Sequence, residues 1–557
     1  MYWKHMNLIM KHLLNLLTAL LLAVGVQPLV AQDGSAKTST PTKPNIVFIL
    51  ADDLGIGDTK CYGGERCRID TPNIDALAAG GLRFTDAHAA ASVCAPVRRA
   101  IMTGRYEWRF GNPTHQGPWG FCGPRPNQEK STLGKVFKRS GYQTGYIGKW
   151  HLGTVMPTLD GKTQGPKNVD FTKPLTYGPM QFGFDDSFIL PGSLDMFPYA
   201  FVRNHVWQGE ITAQKSDSAF DRIGPAAKNF EFDQVLETLY RQADAYIDKQ
   251  SEKEPFFLYL ALTGPHTPIS PGANWLGKSK VGVYGDYVME VDHAVERVMN
   301  ALKKKGLDQN TLVLFSSDQG AASYAGNILK ATSGQIHLLE EKGHFPSGPY
   351  RGYKFSVYEG GLRVPLIAHW PAVIKGGTTS HALVALNDLM ATFAELTGAS
   401  LNADEAPDSF SFAPLLRDSK ARSNRPNFIM QSAADCFVVR SGDWKLCLCP
   451  GSGAKDEWLI EPLSEPSWKA ALANFGKDPT REDLKKAPFV QLFNLADDIH
   501  EDHNVAAKHP DRVAAMVAIL DQNIKEGRST PGPQMKNDKK VVIHQRLPNF
   551  VRERLQP

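Results

Sequence analysis

At 557 residues the chain is longer than one hydrophobic core usually organises, so two domains are expected. It is 42% hydrophobic and 22% charged, an ordinary globular composition that argues against disorder. A formal net charge of +4 with no long Lys/Arg run argues against nucleic acid as a partner.

Lys4, His5, Lys11 and His12 flank an apolar run from Leu13 to Val26 that ends in "PLVA". A basic start, a short apolar core and a small residue at Ala31 predict a secretory signal peptide over 1–31, cleaved near Ala31. The alternative, an uncleaved anchor, is disfavoured because the run is short for a bilayer span. Residues 32–44 read as a linker. The mature chain is expected to be exported, periplasmic or secreted, with no stable membrane insertion.

Export places the seven cysteines in an oxidising compartment. Cys61 and Cys67 could pair, and Cys436 could reach Cys447 or Cys449. Spacing alone does not fix the pairing, and no zinc-ligand spacing is present.

"NIVFILADD" (Asn45–Asp53), "YQTGYIGKWH" (Tyr142–His151), "PFFLYLALTGPH" (Pro255–His266) and "TLVLFSSDQG" (Thr311–Gly320) are continuous apolar runs that stop abruptly in polar residues. Such runs predict strands buried on both faces. Between them "NIDALAAGG" and "YGDYVMEVDHAVERVMNALKKKG" have helical spacing and Gly stops. The alternation predicts an α/β fold, a large mainly parallel sheet flanked by helices, over 45–420. Hairpin-like "FIMQSAADCFVVRSGDWKLCLC" and the helical "PDRVAAMVAILDQNIKEG" predict a smaller α+β domain over 421–557.

Ligands of parallel sheets gather at the carboxyl ends of the strands. Asp52, Asp53, Lys149, His151, His266 and Asp318 all fall at such ends. Asp52–Asp53 and Asp318–Gln319 are two pairs of oxygen ligands, which suits a hard cation such as calcium. Any single Asp–Asp pair is more often a solvated turn, and it is the repetition at strand ends that points to a site. Cys94 precedes Arg98, a fixed positive charge that would favour its thiolate.

"SVCAPVRRAIMTG" resembles the Cys-type sulfatase signature, C-x-P-x-R running into T-G. "GYQTGYIGKWH" resembles that family's second signature, and "DTPNIDALAAGGLRF", "YKFSVYEGGLRVP" and "QLFNLADDIHEDHNVA" resemble three further family segments in the same order. The resemblance implies the alkaline-phosphatase-like fold and a sulfuric ester hydrolase. It implies that a maturation enzyme oxidises Cys94 to Cα-formylglycine, whose hydrate attacks sulfur with one hydroxyl and expels sulfate through the other. A serine could perform the first step but would strand the sulfate ester. By the same resemblance Asp52, Asp53, Asp318 and Gln319, with the converted Cys94, hold one calcium ion. Arg98 orients the hydrate, Lys149 and Lys354 contact sulfate oxygens or the hydrate, His151 assists the second step and His266 donates a proton to the leaving alcohol. Gln319 stands where Asn is commoner, keeping the carbonyl on a longer arm. Val97 stands where a small residue, often Ser, is usual. His88, His205 and His293 match nothing in the family and read as structural or solvated.

Two rival functions remain: a phosphate or phosphonate monoester hydrolase of the same superfamily, and a calcium-containing binding protein whose Cys94 is never converted. Within "PGSLDMFPYAFVRNHVW", aromatics with Asp195, Arg203 and His205 suit a sugar ring, so a sulfated carbohydrate is the expected substrate class and aryl sulfate the simpler alternative. A structural loop is the plainer reading of the same segment.

Overall fold

A computed structural model describes residues 43–113, 116–124, 131–216, 219, 221–325, 336–453 and 488–543. The expected signal peptide and nearly all of the expected linker lie outside the described residues.

Strand β1 (Asn45–Asp52) is buried throughout, as its unbroken apolar sequence requires of a strand covered on both faces. It pairs in parallel with β7 (Phe256–Pro265) on one side and β8 (Thr311–Ser317) on the other. Beyond β7 lie β3 (Gln143–Lys149) and β4 (Asp186–Leu190), also parallel. These five strands are the centre of a ten-stranded sheet. On the β8 side the sheet continues through β9 (Leu366–His369), β2 (Leu82–Phe84) and β10 (Thr378–Ser380). On the β4 side it continues antiparallel through β5 (Val202–Arg203) and β6 (Val206–Trp207).

Helices cover both faces. Helix α1 (Pro72–Ala79) starts on a proline, α4 (Val235–Asp248) and α5 (Val283–Lys304) pack together, and α3 (Leu133–Arg139) precedes β3. Helix α2 (Cys94–Thr103) ends where Gly104 takes the left-handed conformation at φ 61°.

The second sheet is antiparallel, β11 (Phe428–Gln431), β12 (Phe437–Ser441), β13 (Trp444–Leu448) and β14 (Val490–Asn494) in sequence order, with helix α6 (Pro510–Glu526) against β12. Its core is not self-contained. Tyr106, Trp108, Val357 and Leu362 from the larger part pack among Phe428, Ile429, Phe437, Val439, Met516 and Leu520. This is the predicted fold class, a large mainly parallel sheet flanked by helices with a smaller antiparallel sheet after it. Among the described residues no helix is long and apolar enough to cross a membrane.

The cysteines differ from expectation: no disulfide joins any of the seven in the structure. Cys67 Sγ turns to the carbonyl oxygens of Ile69 and Asp58 at 3.3 and 3.5 Å, and Cys61 Sγ to Thr59 Oγ1 at 3.8 Å. Local hydrogen bonding, not pairing, satisfies both.

Candidate active site

In-register parallel pairing brings the carboxyl ends of β1, β3, β7 and β8 to one edge of the sheet, and the polar residues that end those runs meet there. The backbone is forced into unusual shapes to achieve this. Asp53 and His151 are non-glycine residues in the left-handed region, at φ 61° and 50°, and Phe355 beside Lys354 is at 81°. Such strain persists where surrounding structure over-determines it, often at functional sites. Gly148, at φ 115°, lies where a Cβ would run into the Ala261 carbonyl, so only glycine brings β3 close enough to β7 to deliver Lys149.

Asp52, Asp53 and Asp318 are buried together with three cations. Lys149 Nζ donates to Asp52 Oδ2 at 2.5 Å and Lys354 Nζ to Asp53 Oδ2 at 2.8 Å. Arg98 grips Asp318 Oδ2 through Nε at 3.0 Å and Nη2 at 2.9 Å, and its Nη1 donates to the Lys149 carbonyl at 3.2 Å. The Gln319 amide nitrogen donates to Asp53 Oδ1 and lies 3.4 Å from Cys94 Sγ. Cys94 Sγ is 4.0 Å from Asp53 Oδ1. His266, between the cis prolyl bonds Gly264–Pro265 and Thr267–Pro268, puts Nε2 3.6 Å from Asp53 Oδ2. His151 stands at the margin, with its Nδ1 buried and without a hydrogen-bond partner.

The charges pull in different directions. Burial raises the Asp52 carboxyl, but Lys149 and then Arg98 outweigh it and hold the group well below the carboxylate range. Burial dominates at Asp53, pushed up to about 6 against the pull of Lys354. At Asp318 burial and then the Asp52 charge push it up to about 7, against Arg98. Burial, then Lys354 and Lys149, keep the His266 imidazole neutral. Burial and Lys149 do the same for His151.

The expected thiolate does not form. Cys94 opens α2 at the positive end of its dipole, with Lys149 and Lys354 close by, yet burial pushes its thiol up to about 12.

The donor set suits a divalent cation. Asp52 Oδ1 and Gln319 Oε1 are buried acceptors without a hydrogen-bond donor, the vacant lone pairs a hard ion takes. Ligand atoms of Asp52, Asp53, Cys94 and His266 also lie within 4.8 Å of one another. A second such group, Asp86, His88 and Glu359, is already neutralised: Arg363 Nη2 reaches Asp86 and Glu359 at 2.8 and 2.7 Å, and Lys445 reaches Glu359 at 2.9 Å. It is an ion-pair cluster.

The sulfatase family model matches residues 44–399, which include every group of the charged centre around Cys94. The chain belongs to the sulfatase family. It is similar to an N-acetylgalactosamine-6-O-sulfatase of Bacteroides thetaiotaomicron, 30% identical over 91% of this chain and 98% of that one. It is also similar to human arylsulfatase D, 31% identical over 83% and 90% of the two chains. A solved structure from work on glycosaminoglycan metabolism by Bacteroides thetaiotaomicron superposes with TM-score 0.72 at 30% identity, over 86% of this chain and 99% of that one. The protein is thus a sulfuric ester hydrolase.

Around the sulfatase centre the structure redistributes the residues expected to meet substrate. Arg203 points away, paired with Asp186 at 2.9 Å, bonded to Gln242 and lying over Phe188. His205 bonds to Gln181 at 3.0 Å. Asp195 does face the site, with Oδ1 4.0 Å from His266 Nδ1. Its guanidinium partner is Arg222, at 2.6 Å, which the sequence does not single out. An arginine in a loop carries no periodic or motif signal.

A cavity of about 250 Å³ borders the outer side of α2 at Val93, Pro96 and Arg99. None of the charged groups of the centre lines it.

Proposed function

We propose that this sulfatase acts on sulfated carbohydrate after conversion of Cys94 to formylglycine, with one calcium ion held by Asp52, Asp53, Asp318 and Gln319. The observation that carries the reading is the Cys94 side chain at the start of α2, within reach of Asp53 and Gln319, with Lys149 and Lys354 close by and Arg98 four residues on in the same helix. Converted and metal-loaded, the centre would supply a geminal-diol nucleophile and a Lewis acid for sulfate.

The side chains do the rest. Arg98, clamped on Asp318, is a fixed fork beside the nucleophile. Lys149 and Lys354 carry charge that complements sulfate oxygens as negative charge grows on them. His266 Nε2 is the proton donor to the leaving alcohol. Burial, then Lys354 and Lys149, depress its proton affinity in the free protein. A bound sulfate anion offsets the two lysine charges and so favours protonation of the imidazole as substrate arrives. His151, neutral and unpartnered at Nδ1, accepts a proton in the second step.

Carbohydrate is favoured by the names of relatives: an N-acetylgalactosamine-6-O-sulfatase, and a solved protein in complex with k-i-k-neocarrahexaose, 25% identical with TM-score 0.60 over 86% and 92% of the chains. The protein is exported, its leader removed near Ala31. The test is mass spectrometry of the peptide holding Cys94, followed by rates on sulfated sugars and on paired 4-nitrophenyl sulfate and phosphate. Conversion of the cysteine with preference for sulfate is expected. An unmodified thiol in active protein, or preference for phosphate, overturns the reading.

A further inference from the structure

Exposure rises along a chain of contacts that leaves the centre in one direction. His266 Nδ1 faces Asp195 Oδ1 at 4.0 Å, and Asp195, whose side chain is 5% exposed, pairs through Oδ2 with Arg222 Nη1 at 2.6 Å. The Arg222 side chain is 25% exposed, and its guanidinium lies over the Trp119 ring with Cζ 4.0 Å from the centroid. Trp119, 41% exposed, meets Phe197 edge to face. The backbone of this arm is anchored: Arg222 Nη1 also donates to the Asp195 carbonyl at 2.9 Å, and Tyr199 Oη donates to the Arg222 carbonyl at 2.8 Å. Asp195 Oδ1 is buried and has no hydrogen-bond donor. An unsatisfied buried carboxylate oxygen is costly and needs a reason.

We infer that Asp195, Arg222 and Trp119 form the recognition site for the ring of the leaving alcohol, a neutral hydroxyl-bearing pyranose. The inference rests on His266 as proton donor, because the leaving oxygen must then lie at His266 and the ring attached to it must lie over the next groups outward. Asp195 Oδ1 accepts from a ring hydroxyl, which supplies the donor it lacks. Arg222 holds that carboxylate in place and stiffens the indole. Trp119 offers an apolar face to the C–H face of the sugar, the mix of aromatic surface and a few fixed polar groups that small-ligand sites use. The Asp195 charge disfavours a ring carrying its own carboxylate. This assigns substrate choice to loop residues outside the family signatures.

The test compares wild type with Arg222→Gln, Trp119→Ala and Trp119→Phe, all with Cys94 converted and all checked for unchanged melting temperature. Substrates are N-acetylgalactosamine 6-sulfate, galactose 6-sulfate and 4-nitrophenyl sulfate. Arg222→Gln should lower the kcat/KM ratio of sugar to aryl ester about tenfold or more, through KM. Trp119→Ala should raise KM for the sugar esters by a similar factor, with Trp119→Phe restoring most of it. A ratio unchanged in Arg222→Gln, or equal loss on every ester, overturns the assignment. Wild type that cleaves the aryl ester and neither sugar ester overturns the carbohydrate reading as well. If converted enzyme cleaves nothing, calorimetric titration of the Cys94→Ala protein with N-acetylgalactosamine decides. Weakening by Trp119→Ala supports the arm irrespective of catalysis, and identical or absent binding in both proteins refutes it.

Discussion

As a thiol, Cys94 is a poor nucleophile, since burial outweighs two nearby lysines and holds it protonated to about pH 12. An unconverted cysteine there would waste the cations around it. Cys94→Ala is therefore expected to abolish sulfate release while keeping the melting temperature within a degree or so, and Cys94→Ser to accumulate a sulfated protein visible by mass spectrometry. Turnover by either variant at the parent rate would rule out the formylglycine mechanism. The carboxylates beside it give a second prediction. Asp53 and Asp318 are pushed up by burial and then by the charge of Asp52 beside them. A divalent cation relieves that repulsion, so calcium at a hundred times its dissociation constant should stabilise the folded protein by about 2.7 kcal/mol. Melting in excess calcium against a chelator measures this. Equal melting temperatures would exclude a calcium site, whatever the activity does.

At the scale of elements, the strands were easy to read and the recognition arm was not. β1, β3, β7 and β8 announce themselves because strands covered on both faces must be apolar throughout, and the residue where each run turns polar is where the site begins. Asp52, Lys149, His266 and Asp318 were legible for that reason, and Lys354 through its spacing from Glu359. Arg222 and Trp119 sit in loops, where neither periodicity nor turn chemistry distinguishes a binding residue from a solvated one. Arg203 was misplaced on the same ground: β5, one strand in from the sheet edge, turns it to Asp186. Elements also carry buried acids that no pattern reveals. On α5, Glu290 accepts one hydrogen bond, from Gly272 N at 2.8 Å, while Oε1 has no donor, and burial pushes the carboxyl up to about 7. Its folded value lies above its unfolded value near 4.5. Its contribution is thus fully present below pH 4.5 and lost as the pH rises through about 7. Glu290→Gln, which keeps the acceptor and removes the charge, should stabilise by roughly 1–2 kcal/mol at pH 8 and by little at pH 5. Denaturant midpoints at the two pH values test the sign, and equal gains at both would disprove the ionisation argument.

Across the whole molecule the two sheets are joined by charge as much as by apolar packing. Lys445 on β13 pairs with Glu359 at 2.9 Å and Glu501 at 2.7 Å, and all three side chains are fully buried. Glu359 in turn holds His88 at 2.8 Å and Arg363 at 2.7 Å, and the Glu359 N–H donates to Glu501 at 2.7 Å. Glu359 follows Lys354 by five residues, so this cluster fixes the loop that delivers a cation to the catalytic centre. Removing one partner of a buried ion pair leaves an uncompensated charge and typically costs about 3–5 kcal/mol, whereas removing both together is far milder. Lys445→Ala strips the shared cation from two carboxylates. It should lower the stability of the larger sheet and the smaller one together, in a single transition, because Tyr106, Trp108 and Val357 of the larger part complete the smaller part's core. Lys445→Met combined with Glu501→Gln should recover most of the loss, since Glu359 keeps His88 and Arg363. Unfolding followed separately by tryptophan emission and by sulfate release distinguishes the cases. Coincident curves shifted together are expected. A shift confined to one probe, with activity persisting past the first transition, would show that the small sheet is not a structural partner of the catalytic centre.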